Sequence, residues 1–216
     1  ATGPQFLPFY FASWDQMREM AELFVQRGGN PRGVDQTTLQ YFAVLSASFQ
    51  TAADREWLRQ FVRAVEDESR RFYHDYWTSE TRAHAPAAAR ADSMWQRTWR
   101  PSLQRFLNNT QQQNGELYLS FPLDGEGRTV HFTKVQNAVA VGLPENAQDL
   151  ESVIYTFAHE IAGSVASTAI EDNTTPADRR AGTTARYEQS AAVRAGALLL
   201  EKVLPSAVPG YMRYYL

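Results

Sequence analysis

The sequence predicts a predominantly helical α+β fold, and three observations carry that prediction. Apolar residues recur at three- and four-residue spacing through most of the first 114 positions. From Gly115 to about Pro144 the period shortens to two, and from about Gln148 helical spacing returns. The expected order is therefore a set of helices, a small antiparallel sheet, and two further helices. With no internal repeat and no long linker, residues 1–216 read as a single domain, with a helical subregion at 1–114 and a second subregion at 115–216.

The first helix is "SWDQMREMAELFVQRGG": Ser13 with Gln16 suggests a capping box, Met17, Met20, Ala21, Phe24 and Val25 form its apolar stripe, and Gly28-Gly29 stops it. "VDQTTLQYFAVLSASFQ" follows, with Leu39, Phe42, Leu45 and Phe49 at helical spacing. Thr51 and Asp54 offer a second capping box, opening a long third helix whose apolar set runs from Trp57 to Trp77. An Ala-rich turn is expected around Pro86. A fourth helix through "AAARADSMWQRTWRPSLQRFLNN" is expected to kink or divide at Pro101, and core packing is the expected role of Trp77, Trp95 and Trp99.

In the alternating region "ELYLSFPL" puts Leu117, Leu119, Phe121 and Leu123 on one face. "DGEG" supplies turn chemistry, "RTVHFTKV" returns with Val130 and Phe132, and "NAVAVGLP" continues with Val139 and Val141. A polar loop holding Asn173, Pro176 and Gly182 separates the last two helices, and the aromatic "VPGYMRYYL" closes the chain.

The stretch "VIYTFAHEIAGSVAST", residues 153–168, raises the functional question. Ile154, Phe157, Ile161 and Val165 form its apolar stripe, while His159 and Glu160 begin an H-E-x-x-H pattern that ends in Gly163. Taken with the sheet before it and "RYEQSAAVRAG" after it, this region resembles the zincin metallopeptidases of the gluzincin type over roughly residues 115–201. That resemblance implies a zinc ion held by His159 and by Glu188, 29 positions further on, with Glu160 as the base that takes a proton from metal-bound water. It also implies a peptide or protein substrate laid along the sheet edge. Gly163 departs from the pattern, since it stands where the second His ligand belongs and has no side chain. His131, in the strand region, is the substitute ligand that could approach the helix, and Tyr187 or Tyr211 would supply a supporting or oxyanion-stabilising hydroxyl.

Two functions follow as expectations: a metallopeptidase with an altered or lost zinc site, and a catalytically inactive peptide-binding or scaffold module. The plainer reading of His159 and Glu160 is as partly buried polar residues bonded to Glu188, Tyr187 or the sheet. Without cysteine, any metal must be held by His, Asp or Glu. A net charge of −3 creates no field for a polyanion, so nucleic acid is not an expected partner. No apolar run approaches 18 residues, so no membrane span is expected. A first residue of Ala1 in place of Met favours an exported protein whose leader has been removed.

Overall fold

The computed structural model describes residues 4–109, 116–121, 123, 127–131, 137–146 and 148–216. Phe132 and most of the "DGEG" turn lie outside these. The chain divides into two compact units, Ala1–Ala83 and His84–Leu216, so the division falls well before residue 115, where the apolar period changes.

In the first unit, α1 (Trp14–Gln26), α2 (Gln36–Ser48) and α3 (Ala52–Glu68) surround a core that includes Met17, Phe24, Phe42, Leu45, Leu58 and Val62. Each helix starts on its own side-chain cap. Ser13 accepts from the Gln16 N–H, Asp35 from the Thr37 and Thr38 N–H groups, and Thr51 and Asp54 form the expected capping box. The Gln16 side chain instead accepts from the Ala12 N–H. Fully burying an aliphatic side chain such as Leu58 is worth about 1.5–3 kcal/mol. Beyond α3 the helical path widens into a π turn at Ser69–Tyr73. There the expected core residues do not bury: Phe72, Tyr73, Tyr76 and Trp77 are each 43–51% exposed.

Helix α4 (His74–Met94) runs through Pro86 without the expected turn, because the alanines on both sides are strong helix formers. A π turn at Trp95–Trp99 then precedes α5 (Arg100–Asn109). The Arg100 N–H bonds to the Trp95 carbonyl, five residues back, and this local widening falls where Pro101 has no N–H to offer. Trp95 and Trp99 are buried, as expected of core residues.

The second unit holds β1 (Glu116–Ser120), β2 (Gly127–His131) and β3 (Asn137–Gly142), in the order β1-β3-β2. The sheet is mixed: β2 runs antiparallel to β3, but β1 runs parallel to it and does not form a hairpin with β2. Burial explains the correction. Residues 137–141 are buried on both faces, which suits a central strand, whereas β1 is only half-buried, with Tyr118 exposed, and takes an edge. Val139 and Val141 share a face with Leu117 and Leu119 as expected. Val130 pairs with Ala138 and so faces the other side.

Next come α6 (Glu151–Asp172), the short α7 (Pro176–Arg180), α8 (Thr183–Val203) and α9 (Val208–Tyr215). Two segments read as loop and tail are thus helical. A Thr175–Asp178 capping box with Pro176 starts α7, and Pro209 lies in the first turn of α9. Among the described residues no helix is long and apolar enough to cross a membrane.

Candidate functional site

Helix α6 is the axis of the second unit, because its first three turns are apolar on nearly every side. Val153 through Ala158 and Ile161 through Gly163 are all buried, as expected of a helix enclosed by other elements. His159 and Glu160 interrupt that run, and they point to different neighbours.

His159 faces α9. Its Nδ1 lies 3.4 Å from the Tyr211 hydroxyl, and its ring stacks on Tyr215 with 4.5 Å between centroids and 18° between planes. Burial pushes its pKa below the ordinary imidazole value of 6.5, so the ring is neutral at pH 7. Tyr211 is fully buried, and burial raises the pKa of Tyr211 and of Tyr215 well above the usual phenol range. The Tyr211 hydroxyl lies over Gly196 of α8, where any Cβ would overlap it.

Glu160 faces β2. Its Oε2 accepts from the Thr129 N–H at 3.0 Å, and Gly127 makes the approach possible. A Cβ at 127 would stand 2.6 Å from both Glu160 Cγ and Thr156 Cγ2. In an antiparallel pair, alternate residues turn their backbone groups toward the partner or away from it. The N–H that Glu160 accepts belongs to the outward set, so the carboxylate sits on the outer edge of β2.

Gly163 has a packing role. A Cβ there would meet the Ala192 Cβ at 3.3 Å, so the missing side chain permits close approach of α6 and α8. Even a methyl group at this position would require Ala192 to give by a few tenths of an ångström. With residue 192 level with 163, and Gly196 level with His159 beneath the same Tyr211 hydroxyl, the two helices run antiparallel. Glu188 is then carried away from His159 by two helical turns, roughly 12 Å at 1.5 Å per residue.

The expected ligands are therefore not brought together. A catalytic zinc site takes three protein ligands at about 2.0–2.2 Å. Among the described residues no group of three His, Asp or Glu side chains is placed to hold a metal. His131 ends β2 opposite Asn137, and its side chain lies outside the described residues. Tyr187 is 60% exposed on α8, whereas Tyr211 does reach His159. Among the described residues, then, His159 and Glu188 do not form a three-ligand zinc site.

A feature absent from the sequence reading lies one turn earlier. A cleft of about 760 Å³ opens where β1 and β3 end, against the first turns of α6 and one side of α9. Leu123, Leu143, Tyr155 and Thr156 are its buried residues, and Glu145, Asp149, Glu151 and Arg213 are exposed along it. The Tyr155 hydroxyl donates to Glu151 at 2.6 Å and lies over Gly210 of α9. Burial first, then the neighbouring carboxylate, pushes the Tyr155 pKa up to about 12. The readable signal was the acid density of "ENAQDLE", with three carboxylates in seven positions between strand and helix.

Set against known protein families, curated proteins and solved structures, the chain matches none of them.

Proposed function

We propose that the second unit is a non-catalytic module that binds an extended peptide as an added strand along β1. The observation that carries this reading is the difference between the two sheet edges. On β2 the outward N–H of Thr129 is taken by Glu160. On β1, the Ser120 carbonyl accepts from the Leu143 N–H at 3.0 Å, so Ser120, Tyr118 and Glu116 turn their backbone groups toward β3. Leu117 and Leu119 turn theirs outward, where no partner meets them among the described residues. An edge with outward donors and acceptors is the template that strand addition uses. Their side chains pack into the core, so the edge is held in place, and Tyr118 stands exposed beside the path of an incoming strand.

The test uses a peptide selected from a random display library for binding to the whole chain. It is then resynthesised with N-methyl groups on its even or its odd amides. Strand addition predicts that one set loses at least tenfold in affinity while the other binds normally. Equal binding by both sets would remove β1 from the interaction.

A further inference from the structure

We propose that the cleft at the carboxyl ends of β1 and β3 is a binding site for an organic cation, an ammonium or guanidinium group on an apolar stem. Three features of the cleft coincide. Its exposed charges are three carboxylates, Glu145, Asp149 and Glu151, against one guanidinium, Arg213, so the enclosed space carries an excess of negative charge. These opposite charges share one cleft without forming an ion pair among the described residues, which leaves the Glu145 and Asp149 carboxylates unengaged. The interior behind them is apolar and aromatic. Leu123, Leu143 and Tyr155 are buried there beside the Thr156 hydroxyl, while Tyr214, 5.9 Å from Tyr155 between ring centroids, is exposed along the cleft.

Each feature selects a different part of the ligand. Carboxylates take an ammonium or guanidinium head as charge-assisted hydrogen-bond acceptors. The exposed Tyr214 ring adds an aromatic partner for the same cation, and the buried Leu123 and Leu143 take its stem. Glu151 is set in position beforehand by the Tyr155 hydroxyl, and Tyr155 is itself fixed by its seat over Gly210. Arg213 opposes such a ligand and favours an anion, which makes it the discriminating residue. The proposal does not depend on strand addition at β1.

The experiment titrates the whole chain with four probes, following amide chemical shifts by NMR. Agmatine represents a free cation and N-acetylarginine methylamide a basic side chain within a peptide. N-acetylcitrulline methylamide is the neutral isostere and N-acetylglutamate methylamide the anion. Expected are shifts centred on 143–155 and 210–214 with one or both cations, and weaker or no binding of the other two. Which cation binds better separates a free amine from a peptide side chain. Asp149→Asn and Glu145→Gln should each weaken the cation about three- to tenfold, and Arg213→Gln should tighten it, all less so at high salt. Preference for the anion, equal binding of citrulline, or weaker cation binding in Arg213→Gln would overturn the proposal. So would the absence of shifts in the cleft with every probe while the variants remain folded.

Discussion

The two units are held together by different means. In residues 1–83 the helices α1, α2 and α3 each carry their own start signal and their own buried residues, and the core forms where these meet. In residues 84–216 the decisive contacts are close approaches between distant parts of the chain. Gly163 meets Ala192, Gly196 lies beneath Tyr211, Gly210 beneath Tyr155, and Gly127 beside Glu160. Local rules govern the first unit, whereas the second depends on where side chains are missing. A glycine in a helix interior costs about 1 kcal/mol in propensity, so its presence there calls for a packing reason.

The largest expected effect tests that contrast. Gly196→Ala should destabilise the second unit by about 3 kcal/mol, because the added methyl overlaps a fully buried tyrosine. Tyr211→Phe should recover part of that loss in the double variant, since it removes the nearest atom. Hydrogen exchange should show faster opening in 84–216 and unchanged protection in 1–83. Additive losses would mean that the two residues are not coupled.

Gly163→His restores the zincin pattern in the sequence but should cost about 2 kcal/mol by overpacking against α8. Neither this variant nor the parent chain should change its melting temperature when zinc is supplied or chelated, because Glu188 remains two turns away. Stoichiometric zinc in either, measured by elemental analysis, would restore the metal reading.

Thr51→Ala should cost about 1 kcal/mol, confined to the first unit, by removing one half of a capping box. Equilibrium denaturation checks the size and hydrogen exchange the location.

The smallest effect is pH dependence at His159. Its folded pKa lies below the unfolded value of 6.5, so neutral imidazole favours the folded state. That contribution is present above pH 6.5 and is lost as pH falls through the window below it. His159→Gln should flatten this part of the stability curve, while carboxylate titration at lower pH persists.

The caps at Ser13 and at Thr51 with Asp54 were legible because capping depends on residues three apart. The helical α+β class was legible from the change of apolar period. Strand order was not. A hairpin between β1 and β2 looks natural in sequence, yet the burial of β3 on both faces inserts it between them. The candidate site divides in the same way. His159 and Glu160 were singled out, and both engage distant partners, but "HEIAG" cannot disclose that its glycine answers to Ala192. Nor can a spacing of 29 residues reveal that α8 carries Glu188 away from His159, since antiparallel register is set by packing across the pair. Phe72, Tyr73, Tyr76 and Trp77 fit an apolar stripe, and nothing in the first unit's structure explains why they stand exposed.

Glu160 on the rim of β2 also sets how far this sheet can grow. A sheet with two open edges behaves like a bifunctional monomer, able to add copies of itself without limit, and edge-to-edge growth of that kind leads to fibres. With the Thr129 N–H held by a carboxylate, a strand arriving at β2 would first have to displace Glu160, whereas one arriving at β1 meets no such group among the described residues. A single glutamate thus makes the two ends of the sheet unequal toward any added strand.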